Sequence, residues 1–266
     1  MHDTVAHEPA IRLAAFLGVF ALLAAWEVAA PRRVRTLGRR DRWPANLGVV
    51  ALNAVAVRLL FPAAAAGAAV AAERHGWGLL NAVAVPRGLA IVASVVALDL
   101  VVYAQHWLFH RVPLLWRLHR VHHADVDFDV STGLRFHPME IVASMLVKMA
   151  ALVALGAPPA AALAFEVVLN ASSMFEHANV RLAPGVDRLL RALVVTPDMH
   201  RVHHSTEPRE THSNFGFNVS LWDRLFGTYR AEPLAGHDAM RIGLPIFRDR
   251  REARLDRLLS QPFREG

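Results

Sequence analysis

The 266-residue sequence predicts an all-α protein, an integral membrane helical bundle with about four membrane-embedded helical units. Three observations predict it. Hydrophobic residues make up 54% and charged residues only 20%, with a mean hydropathy of +0.29. Soluble domains carry less apolar and more charged sequence. The apolar residues are also gathered into blocks, mostly at 10–105 and 141–175, long enough to cross or enter a bilayer. Finally, eleven of the fifteen histidines fall between 106 and 212, at spacings that recur. There is no cysteine, so there are no disulfides and no thiolate metal site. A soluble globular enzyme, a disordered chain and a secreted disulfide scaffold are disfavoured together. The net charge of +6 would suit nucleic acid in a soluble protein. Here the basic residues sit beside apolar blocks, where membrane topology and anionic lipid explain them, and no nucleic-acid partner is expected.

The first element is the apolar run 11–30, which lacks a basic n-region and a cleavage site and reads as an uncleaved helix. The run 45–72 is a second span, tilted or kinked, interrupted in character by Arg58 and Pro62. Residues 77–85 suggest a short interfacial helix, and 88–105 a third span. The block 141–175 is broken by Gly156-Ala157-Pro158-Pro159 into two stretches too short for comfortable crossings. It reads as a helical hairpin that enters the bilayer and turns at the Gly-Pro-Pro. The tail after 231 reads as a polar surface segment, with 248–262 as a basic amphipathic helix on lipid or in solvent.

Orientation follows from the loop 31–44, which holds six arginines and one aspartate. The positive-inside rule puts it in the cytoplasm, with the N-terminus and loop 73–87 on the periplasmic side. The third span then returns to the cytoplasm, and every histidine from 106 to 212 lies at the cytosolic face, with the C-terminus.

His106 and His110 form HxxxH. His119, His122 and His123 form HxxHH, and His200, His203 and His204 repeat it with the same Arg-Val filling. On a helix, residues at i, i+3 and i+4 share a face, so each box gathers two or three imidazoles. With His177 the set suffices for two metal ions and is too large for one. Structural zinc takes a closed shell of four ligands, commonly with cysteine. An all-imidazole set above four suits iron, with zinc as a substitute. A lone histidine is ordinarily structural, but two identical boxes and an HxxxH on one membrane side are not. His137 is a further candidate ligand. His212 is not counted, and His2, His7, His75 and His237 read as ordinary.

Two polar stripes point to the same place. Asp99, Tyr103, His106 and His110 follow one helix face, as do Glu166, Asn170, Ser173 and His177. A carboxylate at membrane depth is costly unless paired or functional. Asp99 and Tyr103 are therefore candidate catalytic side chains, with Asp99 or Glu166 accepting from the second ring nitrogen of a ligand histidine. The alternative is a buried acid paired with an arginine such as Arg58.

From about Ser94 to Tyr229 the chain resembles the fatty acid hydroxylase/sterol desaturase superfamily, through HWLFH, LWRLHRVHH, STGLRFHPME, FEHANV, TPDMHRVHHS and SNFGFNVSLWDRLFGTY in order. The resemblance implies a membrane-bound, non-haem di-iron enzyme that uses O2 to hydroxylate or desaturate lipids. It implies that His106, His110, His119, His122, His123, His177, His200, His203 and His204 are the ligands. Some relatives carry another histidine where Arg181 stands, which leaves one metal a nitrogen short unless water, Asn179 or His137 completes it. A hydroxylase-like catalytic domain is expected over 88–230, preceded by membrane spans over 1–87 and followed by a cytosolic tail over 231–266. No fused cytochrome b5-like domain is expected, so electrons would come from a separate donor, ferredoxin-like or cytochrome b5-like with its reductase.

The leading expectation is a lipid monooxygenase of the bacterial inner membrane acting on a fatty acyl, sterol-like or isoprenoid C–H bond. A desaturase would use the same site. Outside this class stand a membrane zinc hydrolase, for which HExxH is missing, and a metal transporter or sensor, which would place ligands near the bilayer midplane.

Overall fold

The computed structural model describes residues 8–83 and 85–265, so His2 and His7 lie outside the described residues. Helices dominate and no strand is formed among the described residues; three isolated bridges, such as Pro31 with Val180, are the only β pairing there. Four segments are long and apolar enough to cross a membrane: Pro9–Ala29, Arg39–Ala82, Arg87–Arg111 and Pro138–Leu155.

Helix α1 spans Glu8–Ala29 and stops before Pro31, because the residue before a proline is pushed out of helical conformation. α2 (Arg39–Leu60) and α3 (Ala64–His75) are the expected kinked second block. The break falls at Phe61-Pro62-Ala63, where the proline has no N–H to give. The short α4 (Leu79–Ala82) is the expected helix within 77–85. α5 (Arg87–Arg111) has 25 residues, about 37 Å. It outruns a hydrocarbon core of about 30 Å and runs six residues past the expected end at 105, carrying His106 and His110. Pro113 then opens α6 (Pro113–His123), which holds the first HxxHH box.

The hairpin is formed by α7 (Pro138–Leu155) and α8 (Pro159–Glu176). Gly156 caps α7 in the left-handed region at φ 66°, and its N–H donates to the carbonyls of Leu152 and Val153. Gly78 packs against this turn; a Cβ on Gly78 would collide with the Gly156 nitrogen. The membrane core joins Ala65, Ala69, Leu98, Met145, Leu152, Ala162 and Phe165, small residues letting α3 approach the hairpin closely. α9 (Pro184–Leu190) and α10 (Pro197–His203) follow on the histidine side.

The arginine loop has a structural role beyond charge bias. Glu27 accepts from the backbone N–H groups of Val130 and Asn179 and pairs with Arg35 and Arg39. Arg42, fully buried, binds Asp125 at 2.6 and 2.7 Å and Asp129 at 2.7 Å. Burial alone would raise the Asp125 pKa, but Arg42 and Arg135 outweigh it and hold it at about 2. These pairs fix the 124–137 segment over the ends of α1 and α2.

The C-terminal tail departs from the expected polar surface segment. Met240, Ile242, Leu244 and Phe247 are buried. The expected single helix over 248–262 is instead a 3-10 turn at Arg250–Ala253, a helix at Leu255–Ser260 and a second turn at Gln261–Phe263. Part of its apolar surface packs on the protein: Leu258 meets Ala45 and Val121. Arg117 and Arg120 of α6 donate to the carbonyls of Pro262 and Gln261.

Candidate metal centre

The histidine boxes converge at the ends of α5, α6, α8 and α10 as two buried groups. In the first, ring nitrogens of His106, His110, His119, His123 and His203 all lie within 4.8 Å of one another; in the second, so do those of His122, His177, His200 and His204. Each HxxHH box is split between them. The first and last histidines of the α6 box go to the five-membered group and His122 to the other. The α10 box does the reverse, sending His200 and His204 to the four-membered group and His203 to the five-membered one. The i and i+4 side chains share one side of a turn while i+3 diverges enough to reach the neighbour. The groups share a wall, for His123 and His204 stack with ring centres 4.4 Å apart.

Hydrogen bonds on one side of the rings set the other side free. His106 Nδ1 lies 2.8 Å from the Phe215 carbonyl, His203 Nδ1 2.6 Å from that of Ser213 and His177 Nδ1 2.7 Å from that of Ser173. A carbonyl only accepts, so these Nδ1 atoms carry the proton and Nε2 presents its lone pair. His119 Nδ1 lies 2.6 Å from Glu140 Oε1. Among the described residues, the Nε2 atoms of His106, His119 and His203 have no hydrogen-bond partner, and neither ring nitrogen of His110 or His123 has one.

In the second group the Nε2 atoms of His122, His200 and His204 each lie 3.1 Å from His177 Nε2. One lone pair cannot satisfy three such neighbours. Nitrogens at that spacing around a common centre are what a shell of radius about 2.1 Å requires. Burial holds His122, His123, His200, His203 and His204 well below the usual imidazole pKa, and His177 at about 3. They are neutral at pH 7, the form that binds metal. The residues present therefore fit a metal ion in each group.

The remaining expected residues are placed elsewhere. His137 caps α7, accepting from the Met139 N–H, and its Nε2 lies 3.3 Å from the Leu259 carbonyl; it joins neither group. Asp99 reaches neither a histidine nor Arg58: it accepts from the Asn218 side chain at 2.7 Å and backbone at 3.3 Å, and from Trp222 Nε1 at 2.8 Å. Tyr103 bonds Thr228 at 2.8 Å, which donates to Asp223, and Asp223 accepts from the N–H groups of Phe215 and Gly216. Asp99 and Tyr103 thus anchor the 213–228 segment whose carbonyls orient His106 and His203. Glu166 pairs with Arg12 at 2.8 Å and Lys148 at 2.7 Å. Asn179 is spent on Arg33, and Arg181 is exposed. His237, read as ordinary, is buried and lies 3.0 Å from Glu232.

Two carboxylates were not anticipated. Glu140 occupies the first turn of α7, where an acid reads as a helix-start residue. Glu176 is fully buried, with neither oxygen hydrogen-bonded among the described residues, 3.6 Å from His177 Nδ1 and 3.8 Å from His200 Nδ1. An acid ending an apolar run immediately before a lone histidine was the available signal.

A cavity of about 690 Å³ opens among α1, α2, α5, α7 and α8 and ends on His106 and His119. Phe16, Leu98, Val102, Phe109, Phe136 and Phe217 line much of it, and its size lies in the range of small-molecule sites.

Residues 91–228 match the family described as Fatty acid hydroxylase. Ornithine lipid hydroxylase OlsE of Rhizobium tropici is 31% identical over 148 residues, 56% of this chain and 44% of that protein. Alkylglycerol monooxygenase of Homo sapiens is 29% identical over 145 residues, 53% of this chain and 30% of that protein. Very-long-chain aldehyde decarbonylase GL1-1 of Oryza sativa subsp. indica is 34% identical over 157 residues, 55% of this chain and 25% of that protein. The chain thus spans less than half the length of these relatives. No solved structure matches it.

Proposed function

The chain belongs to the fatty acid hydroxylase family, and from that premise we propose that it is a membrane-bound, O2-dependent di-iron monooxygenase that hydroxylates a C–H bond of a lipid. The observation that carries the reading is the cavity within the helices that ends on two members of the five-histidine group. Iron in both groups would supply the reduction of O2 and the removal of hydrogen from an unactivated carbon, chemistry that side chains lack. The all-nitrogen donors and the five-membered group favour iron over a structural zinc, with zinc able to substitute. One oxygen atom enters the substrate, the other leaves as water with two protons from solvent, and a separate ferredoxin-like or cytochrome b5-like donor with its reductase supplies two electrons. The names of two relatives, a hydroxylase and a monooxygenase, favour oxygen insertion over desaturation.

The chain's own residues hold, orient and seal the site. His106, His110, His119, His123 and His203 hold one metal; His122, His177, His200 and His204 hold the other. Glu140 and the carbonyls of Ser173, Ser213 and Phe215 fix the rings, which raises ligand basicity. Asp99 and Tyr103 position the segment that offers two of those carbonyls. The apolar cavity wall guides a hydrocarbon chain to His106 and His119 and excludes water. In this reading residues 88–230 are the catalytic domain, 1–87 supply membrane spans and 231–266 cover the cytosolic face. The membrane is the bacterial inner membrane, with the N-terminus periplasmic and the histidines and C-terminus cytoplasmic.

Purified protein loaded with ferrous iron, given a reductase–ferredoxin pair and a bacterial lipid extract, should consume O2 and yield lipids heavier by one oxygen. Two bound metals with no O2 uptake on any lipid would refute the enzyme reading; products lighter by two hydrogens would replace hydroxylation with desaturation.

A further inference from the structure

Each HRVHH box begins with a histidine that has a carboxyl group behind its ring. His119 Nδ1 lies 2.6 Å from Glu140 Oε1. His200 Nδ1 faces Glu176 Oε2 at 3.8 Å. Glu176 ends α8, and His177 caps that helix. Both Glu176 and His200 are fully buried. Neither oxygen of Glu176 nor Nδ1 of His200 has a hydrogen-bond partner among the described residues, and buried polar atoms are seldom left so without a task. His177 Nδ1 is nearer to Glu176, at 3.6 Å, but it already donates to the Ser173 carbonyl at 2.7 Å. His200 Nδ1 has no such acceptor. The His200 ring turns its other nitrogen, Nε2, toward the group, 3.1 Å from His177 Nε2. A neutral imidazole that gives Nε2 to a metal keeps its proton on Nδ1, where it needs an acceptor. The donor that lacks an acceptor and the acceptor that lacks a donor thus face each other, just beyond hydrogen-bond range.

Resting on the reading of the four-histidine group as a metal site, we propose that Glu176 is a positioning residue: in the metal-loaded protein its carboxyl group accepts from the His200 Nδ1–H and fixes the ring that offers Nε2 to the metal. It does for His200 what Glu140 does for His119, so each metal group has one carboxyl group behind the first histidine of one box. The role does not depend on the charge of Glu176, because a carboxyl group keeps an accepting oxygen with or without a proton.

Cobalt(II) titration of the metal-free protein against a competing chelator tests the role without any turnover. The parent should bind two cobalt ions per chain. Glu176→Leu should hold one with the parent's affinity and the other roughly 10–100-fold more weakly. The cobalt it keeps should have the visible spectrum of the one kept by His122→Ala, which marks it as the ion of the five-histidine group. Glu176→Gln, whose amide oxygen still accepts, should recover most of the loss. Leucine removes an unpartnered polar group from the interior, so the metal-free variant should unfold no earlier than the parent. Unchanged affinities in Glu176→Leu, or a Glu176→Gln protein as weak as Glu176→Leu, would overturn the assignment. Equal weakening of both groups, or a metal-free Glu176→Leu protein that unfolds earlier or fails to fold, would mark a merely structural role and overturn it too. A parent that binds no second cobalt would instead refute the two-metal reading, and the assignment with it.

Discussion

The two HRVHH boxes are identical in sequence and opposite in use. His119 and His123 of the first serve the five-histidine group and send His122 across; His200 and His204 of the second serve the four-histidine group and send His203 across. What differs is the partner supplied by the rest of the fold. The long helix α5 adds His106 and His110 to one group, whereas α8 adds His177 alone to the other, with Arg181 exposed where a second histidine would stand. The four-histidine group has instead Glu176 beside His177 and His200. The motif therefore fixes which face the imidazoles share, and the surrounding helices fix how many nitrogens each group receives.

The largest expected effect follows from that asymmetry. His122→Ala leaves three nitrogens in the smaller group and should cut turnover by more than about 100-fold, beyond the range seen when residues behind ligands are removed. His110→Ala leaves four in the larger group and should cost less. Turnover per chain at equal membrane expression checks both; a His110→Ala protein as inactive as His122→Ala would remove the functional difference between the groups.

Glu140→Ala comes next. It strips the carboxylate from His119 Nδ1 and should lower metal affinity of the five-histidine group roughly 10–100-fold, with Glu140→Gln milder because its amide oxygen still accepts. Titration with a competing chelator measures this, and unchanged affinity would show that the ring needs no such support. Asp99→Asn should act on stability and not on the metal count. The amide retains one acceptor oxygen for the three N–H groups of Asn218 and Trp222 and should destabilise the protein by about 1–3 kcal/mol. Thermal unfolding should shift while the metal count holds.

A separate effect is a dependence on pH in the metal-free protein. The His177 pKa is about 3 in the fold, held down by burial, and five others lie well below their ordinary value for the same cause. The unfolded chain binds more protons below about pH 6.5. Stability is full above that pH and falls as pH drops toward 3. The unfolding temperature should be lower at pH 5 than at pH 7, and a flat profile would mean the histidines are not buried as neutral groups.

Much of this was legible in the sequence. Apolar blocks of bilayer length gave the spans, Pro62 gave the break and Gly156-Ala157-Pro158-Pro159 the hairpin, because these signals are local. All nine residues of the two groups were recoverable from box spacing and family resemblance. What was not legible depends on distant partners. Asp99 faced the right way on α5, but its partners come from residues 218–222, more than a hundred positions later. Glu166 lay on a stripe leading to His177, yet it turns to Arg12 and Lys148. The 248–262 stretch looked polar because its five arginines outnumber its four apolar residues, but Leu258 and Ala253 face the protein.

The central claim is that one chain holds two metals in groups of five and four nitrogens. Anaerobic loading with ferrous iron, removal of free metal and elemental analysis test it directly. The predicted result is two irons per chain in the parent protein and one in a folded His122→Ala variant. A single iron at saturation in the parent, or two retained by His122→Ala, would contradict it.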